Sequence, residues 1–197
     1  PTTLTLLVNY LYNIADQIFV GQGVGITGMA ATNVAFPLTI VTIALALLLG
    51  DGCAANLNLC LGRGEQEQAN RIISHTASLM VGVGILLGIA GSLLAKPIVI
   101  LFGATETSFQ AALDYTRIIV WGLPFLLFSS ALASIIRADG NPKFTMKCMM
   151  LGAGINLVLD PVFIFGFHWG MMGAAAATVL GQIVAMFMAI FFNLKWN

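Results

Sequence analysis

The chain has 197 residues, of which 59% are hydrophobic and only 8% charged, and its formal net charge is zero. Soluble domains carry roughly 25% charged residues, so this composition excludes an ordinary soluble protein and predicts an integral membrane protein. The zero net charge gives no support for a nucleic-acid partner. The three cysteines, Cys53, Cys60 and Cys148, lack metal-ligand spacing and are expected to be buried, reduced thiols.

Apolar sequence falls into six segments, each close to the ~20 residues that a helix needs to cross the hydrocarbon core of a bilayer. The segments are Thr3–Val20, Ala30–Leu49 with a continuation to Leu61 left open, Ala77–Ala95, Ala112–Ile136, Met146–Phe167 and Met172–Asn193. Only helices and closed barrels satisfy every backbone polar group in lipid, and runs of this length favour helices. The predicted fold class is all-α, an integral membrane bundle of six transmembrane helices.

The basic residues of the predicted loops indicate an orientation. Six lie on one side of the bundle and two on the other: Arg63, Arg71, Arg137, Lys143, Lys147 and Lys195 against Lys96 and Arg117. Basic residues concentrate in cytoplasmic loops, so both ends of the chain are predicted to face the cytoplasm. Because the chain lacks an initiator Met and its first apolar segment starts almost at Pro1, we expect a fragment trimmed at its front end.

The first helix carries an acidic residue that is costly in lipid. An Asp at a helix centre opposes insertion by roughly 2.5–3.5 kcal/mol, so this helix is expected to be marginal alone. Asn9, Asn13 and Asp16 are spaced i, i+4, i+7 and share one face of a helix. We therefore expect this accessory polar face to be buried against other helices.

The fifth helix carries a second intramembrane acid. Asn156 and Asp160 are four residues apart and share a helix face, and Pro161 loosens the backbone beside them. An ionisable residue within the membrane is a functional-site hypothesis by default.

The sixth helix has a ridge of small residues at every fourth position. The ridge consists of Gly173, Ala177, Gly181, Ala185 and Ala189, and Gly84 with Gly88 repeats the pattern more weakly in the third helix. Small residues let helix backbones approach closely in membranes, so both sets are interpreted as packing surfaces.

An internal repeat relates the two acids. The sequence from Asp16 through Gly25 to Thr32 resembles the sequence from Asp160 through Gly170 to Thr178. Both aspartates lie roughly 10–12 Å from the outer end of their helices, and Thr178 lies about 9 Å from that same end, at 1.5 Å per residue. Asp16, Asn156, Asp160 and Thr178 are therefore predicted to meet at one level, with Gln182 one turn below Thr178 as a further accessory residue.

Two carboxylates, an amide oxygen and a hydroxyl are hard oxygen ligands that suit a proton or a small cation such as Na⁺. Burial disfavours a charged carboxylate and a second carboxylate disfavours a second charge, so the pair is treated as one coupled titrating unit. The alternative is that each Asp only forms a hydrogen bond within its own helix pair. No nucleophile set, metal-ligand spacing or Walker sequence is found, so neither an enzyme nor a cofactor is expected.

Five motifs in order resemble the multidrug and toxic compound extrusion (MATE) family. They are Tyr12 to Gly21, Ala30 to Pro37, Leu61 to Gly64, Ile136 to Pro142 and Asn156 to Phe165. The resemblance implies a bacterial inner (plasma) membrane exporter of cationic amphiphilic drugs coupled to H⁺ or Na⁺. It also implies twelve helices in two six-helix lobes related by pseudo-twofold symmetry, of which residues 1–197 are the N-terminal lobe.

In such relatives the cation site of this lobe matches Asp16, Asn156, Asp160 and Thr178. The start of the first helix and the whole second lobe are absent, so drug binding between lobes and alternating access are not expected of this fragment alone. A flippase of lipid-linked saccharides is the first alternative, but it would need a cationic cavity and only Arg117 is a basic residue near a helix interior. A non-transporting membrane scaffold is the second.

Overall fold

The computed structural model describes the backbone from residue 2 to 196, and the side chains at 7 and from 10 to 191. This part of the chain is helical throughout. The six α-helices are α1 (Thr2–Gly23), α2 (Ile26–Gly62), α3 (Gln66–Leu101), α4 (Phe109–Ala138), α5 (Pro142–Pro161) and α6 (Gly170–Trp196). Within the described residues, α2 to α6 are the five that are long and apolar enough to cross a membrane. The prediction of an all-α membrane bundle is therefore confirmed.

Two helices are longer than their apolar sequence predicted. Helix α2 runs to Gly62, which agrees with the continuation to Leu61. The predicted third segment, Ala77–Ala95, was too short, because α3 has 36 residues and continues through Pro97. At 1.5 Å per residue it spans about 54 Å, well beyond the ~30 Å hydrocarbon core. Hydropathy reports the part of a helix that lies in lipid, whereas the polar first turns of α3 remain helical outside it.

Helix α4 lies at the centre of the bundle and packs on α2, α3 and α6, while α1 packs mainly on α5. Small residues set how closely these helices approach. A Cβ atom placed on Gly50 of α2 would lie 2.7 Å from the carbonyl oxygen of Ala131 in α4, and one placed on Gly84 of α3 would lie 3.2 Å from Pro124 Cβ. Both contacts bring backbones together as expected for helices that pack in lipid.

Helices α5 and α6 approach each other most closely at two facing glycines. A Cβ atom on Gly152 would lie 2.9 Å from the Gly181 carbonyl oxygen, and one on Gly181 would lie 2.7 Å from that of Gly152. Real Cβ atoms essentially never come within 3.0 Å of such atoms, so this packing requires glycine at both positions. The ridge of small residues on α6 is a packing surface, as its spacing predicted.

The helical backbone widens directly after Asp160. Pro161 ends α5, and Val162–Gly166 forms a π-helix. The amide of Phe167 donates to the carbonyl oxygen of Val162 at 3.0 Å, five residues back. Proline lacks an N–H and its ring clashes with the preceding turn, which accounts for the loosened backbone at this point. The three cysteines are buried and free, also as predicted.

Candidate functional site

Two buried polar side chains on α5 form the core of the site. Asp160 is 0% exposed and Asn156 is 3% exposed. They are one helical turn apart, which places both on the same face of α5. In the amide orientation that gives every group a partner, Asn156 Nδ2 donates to Asp160 Oδ2 at 3.2 Å. A buried polar group is costly unless it is hydrogen-bonded, so this pairing fixes both side chains.

Helix α6 contributes a hydroxyl to the same site. In that orientation Asn156 Oδ1 lies 3.3 Å from Thr178 Oγ1 and accepts from the Thr178 backbone amide at 3.1 Å. The Thr178 hydroxyl also donates to the Ala174 carbonyl oxygen at 3.0 Å. Gly181 makes this contact geometrically feasible, because a Cβ atom there would lie only 3.3 Å from Asn156 Cβ. The close packing of α5 on α6 therefore positions the amide.

Helix α1 brings a second carboxyl group to Asp160. The side chains of Asp16 and Asp160 lie within hydrogen-bonding reach of each other, although the two residues are 144 positions apart in the chain. Two charged carboxylates close together repel, so a proton or a cation between them would stabilise this arrangement. Asp16 is partly buried, whereas Asp160 is fully buried, so the pair is approached from the α1 side.

Two tyrosines that the sequence analysis missed lie close to the acids. Tyr12 precedes Asp16 by one turn on α1, and Tyr115 on α4 lies near Thr178. Both interact electrostatically with Asp16 and Asp160. Tyr12 could have been found from its i, i+4 spacing to Asp16. Tyr115 carried no local signal, because α4 is brought to the site only by tertiary packing.

A further hydrogen-bonded connection reaches α2, and it was also missed. Gln17 Nε2 donates to Asp16 Oδ2 at 3.3 Å, and the Thr32 hydroxyl donates to Gln17 Oε1 at 3.2 Å. The signal was present in the internal repeat, in which Thr32 occupies the place of Thr178. The polar cluster therefore contains side chains from α1, α2, α4, α5 and α6.

Two of the predicted accessory residues, Asn13 and Gln182, lie in different surroundings. The side chain of Asn9 lies outside the described residues. Asn13 is exposed and borders an open groove of about 590 Å³, so the other helices of this lobe do not bury it. Gln182 faces α4 at Gly122, and its buried Oε1 has no hydrogen-bond partner.

The chemistry of the cluster fits a monovalent cation or a proton. In the part of the chain that the structure describes, no group of three or more His, Cys, Asp or Glu side chains could hold a metal ion. The cluster instead combines two carboxyl groups with neutral oxygens from an amide, a threonine and tyrosines. These are hard oxygen ligands, and with an ion bound the cluster carries at most one net negative charge. Such a cluster suits H⁺ or Na⁺.

A family model described as MatE matches residues 1–162. The FAD transporter of Shewanella oneidensis is 31% identical over 191 residues, which cover 94% of this chain and 42% of that protein. The multidrug export protein MepA of Staphylococcus aureus is 26% identical over 199 residues, covering 99% of this chain and 43% of its own length.

A solved structure of the MATE multidrug transporter DinF-BH is similar over 97% of this chain and 43% of its own chain, with 34% identity and a TM-score of 0.91. The chain thus spans less than half the length of each of these relatives. The part that these relatives share with this chain is the six-helix bundle described above.

Proposed function

The chain belongs to the MatE family of membrane transporters, and from that premise we propose that it forms the N-terminal lobe of a cation-coupled exporter. Residues 1–197 supply one six-helix lobe, and a second six-helix lobe completes the twelve-helix transporter. The complete protein exports cationic amphiphilic compounds in exchange for H⁺ or Na⁺. Neither an enzymatic reaction nor a bound cofactor is part of this proposal.

The observation that carries the proposal is the contact between Asp16 and Asp160. The two carboxyl groups come from separate helices and lie at a depth where unpaired charge is costly. Such a contact is stable with a proton or a cation between the acids and unstable without one. Occupancy of the site therefore changes how favourably α1 packs on α5.

Asn156 and Thr178 supply the neutral part of the binding site. Asn156 Nδ2 donates to Asp160 and so supports a charged carboxylate, while Asn156 Oδ1 accepts from the Thr178 backbone amide and ties α5 to α6 beside the acids. When a cation or a proton occupies the site, α1 is held against α5. When the occupant leaves, repulsion between the carboxylates favours a different position of α1.

The backbone near the site is suited to such a rearrangement. The π-helix at Val162–Gly166 follows Asp160 directly, and Gly25 with a φ of 85° forms the turn between α1 and α2. Both features let a helix end move without unwinding the helix body. Ion binding on one side of the membrane and substrate release on the other are then linked through α1.

The protein is proposed to lie in a bacterial plasma membrane with both ends of this chain in the cytoplasm. The six-to-two distribution of basic residues supports that orientation. A cation entering from the outer side would reach Asp16 first, because it is the more exposed of the two acids. Proton or sodium influx would then drive export.

The coupling ion is identified by a titration of the complete protein. Cation-induced changes in tryptophan fluorescence are recorded for a Na⁺ titration at constant pH and for a pH step without Na⁺. A sodium site predicts a saturable response to Na⁺ that competes with protons, since both bind the same carboxyl pair. A proton site predicts a response to the pH step alone. In either case the response is expected to vanish in Asp160→Asn.

One relative favours a different class of substrate. The protein from Shewanella oneidensis, 31% identical, is described as an FAD transporter, which would make the substrate an anionic dinucleotide. The residues that line the 590 Å³ groove include no lysine or arginine, and this disfavours an anion. Export of lipid-linked saccharides is disfavoured for the same reason, and a scaffold would have no use for acids buried at one depth.

The proposal is tested by dye efflux from cells that express the complete transporter, using the fluorescent organic cation ethidium as the substrate. Asp160→Asn is expected to reduce efflux to the level of cells without the transporter, at unchanged protein level in the membrane. Asp51→Asn is the matched control, because Asp51 is an exposed acid on α2 about 28 Å along the helix from Thr32. Unchanged efflux in Asp160→Asn would contradict the proposed mechanism.

A further inference from the structure

We propose that Gln17 transmits the occupancy of the Asp16 and Asp160 pair to the substrate groove, and that Thr32 holds the Gln17 amide in the orientation that makes this transmission effective. Both are positioning residues, and the proposal rests on the proposed function. It adds a route by which the bound cation and the substrate influence each other.

The first step is the contact between Gln17 and Asp16. Gln17 Nε2 donates to Asp16 Oδ2 at 3.3 Å. A hydrogen bond to a charged carboxylate is about twice as strong as a neutral one, so this bond is worth most when no proton or cation is bound. When the site is occupied, the carboxyl group of Asp16 carries less charge and this hydrogen bond is weaker, so the Gln17 amide can turn away from Asp16 at a lower cost.

The second step is the role of Thr32, which is 8% exposed on α2. Its hydroxyl lies 3.2 Å from Gln17 Oε1 and 2.8 Å from the carbonyl oxygen of Met29, and it has one proton to donate. This donor favours the amide orientation in which Oε1 faces α2 and Nε2 faces Asp16. Without this hydroxyl, no donor on α2 determines whether Oε1 or Nε2 of the Gln17 amide faces α2.

The third step is the position of Gln17 at the groove. Gln17 lines the open cavity of about 590 Å³ together with Tyr10, Asn13, Gln22 and Met29. This volume lies within the usual range for small-molecule sites, about 300–1,000 Å³. The residues that line the groove are uncharged, and the charged group directly behind Gln17 is the acid pair. The groove therefore suits an organic cation. Its positive charge would be attracted to the carboxylate of Asp16, to which Gln17 donates a hydrogen bond.

The other titratable groups around Asp16 do not provide this connection. They are Tyr12 on its own helix, Tyr115 on α4 and Asp160 on α5. None of the three lines the groove. Gln17, by contrast, both donates a hydrogen bond to Asp16 and borders the groove, so its side chain joins the two sites directly.

The test uses the purified complete transporter and ethidium as the probe. The dissociation constant of ethidium is measured by fluorescence anisotropy at high and low pH, each with and without Na⁺. The ratio of the constants in the cation-free and cation-bound conditions is the coupling factor, which typically lies between about 5 and 150 for linked sites. We expect Gln17→Leu and Thr32→Val to lower this factor about fivefold or more. Thr32→Ser, which keeps the hydroxyl, is expected to restore it.

Thr42→Val is the matched control. Thr42 is a fully buried threonine on the same helix whose hydroxyl donates to Leu38 within α2 at 2.9 Å. Thr42→Val removes a hydroxyl that is buried to a similar degree as that of Thr32, but it should leave the coupling factor unchanged. A coupling factor that falls equally in Thr42→Val and Thr32→Val would overturn the inference, because the effect would then reflect helix packing.

The outcomes separate this inference from the function on which it rests. A clear coupling factor in the wild type that disappears in Asp160→Asn but persists in Gln17→Leu and Thr32→Val overturns the inference alone. A wild-type factor of one, unchanged in Asp160→Asn, overturns the proposed function and this inference with it. Since Thr32→Ser keeps the hydroxyl that Thr32→Val removes, their comparison remains decisive if Gln17→Leu does not fold.

Discussion

The two copies of the internal repeat have the same sequence pattern but different surroundings. In the α5 and α6 copy, Asp160 is fully buried and Thr178 bonds directly to its neighbour Asn156. In the α1 and α2 copy, Asp16 is partly exposed and Thr32 reaches it only through Gln17. In the proposed mechanism, the α5 and α6 copy would therefore be a fixed anchor for the cation and the α1 and α2 copy its adjustable partner.

The difference arises from backbone packing. Helices α5 and α6 approach so closely that a Cβ atom on Gly152 or Gly181 would lie within 3.0 Å of the carbonyl oxygen of the other glycine. In the first copy the nearest atom to a Cβ on Gly21 would be Met29 Sδ at 3.1 Å, the end of a flexible side chain. A repeated acid can thus acquire a rigid role in one place and a mobile role in another.

The largest expected effect comes from neutralising either acid. Asp16→Asn and Asp160→Asn are each expected to abolish cation-driven ethidium uptake into inverted vesicles, because a single carboxyl group cannot alternate between a bound cation and repulsion. Both proteins should insert at wild-type level. If both variants retained coupling, neither acid would be needed for it. The distinction between an anchor copy and a partner copy would then have no basis.

A smaller effect is expected when the hydroxyl of the anchor is removed. Thr178→Val leaves the buried Asn156 amide without one partner, which costs about 1–3 kcal/mol and lowers cation affinity about 5-fold to 150-fold. Thr178→Ser should bind the cation with wild-type affinity. Isothermal titration of the complete transporter measures both. A loss in Thr32→Val as large as that in Thr178→Val would mean that the two copies contribute equally.

The packing difference is tested by the same substitution in each copy. Gly181→Ala forces backbone atoms of α5 and α6 apart and is expected to destabilise the protein by about 1–3 kcal/mol. The unfolding temperature of the purified complete transporter reports this loss, together with weaker cation binding through the displaced Asn156.

The comparison substitution on α1, Gly21→Ala, is expected to change stability by no more than about 0.5 kcal/mol, because the Met29 side chain can move aside. Equal shifts of the unfolding temperature in Gly21→Ala and Gly181→Ala would contradict the assignment of a rigid and an adjustable copy.

The sequence by itself determined the membrane class, the helical fold and the packing role of the small residues, because each depends on local composition and period. It also placed Asp16 and Asp160 at one depth, since depth follows from residue count along a helix. The length of α3 was underestimated for a physical reason: helix hydrogen bonds continue into water, where hydropathy no longer marks them.

Only the tertiary structure decided which side chains meet at that depth. Tyr115 reaches Thr178 because α4 packs on α6, and Gln17 connects Asp16 to Thr32 because α1 lies against α2. Asn13 faces the groove for the same reason, although its spacing suggested burial. The sequence of one helix shows which residues share a face. The neighbouring helices decide which way that face points, and the sequence of a single segment does not reveal this.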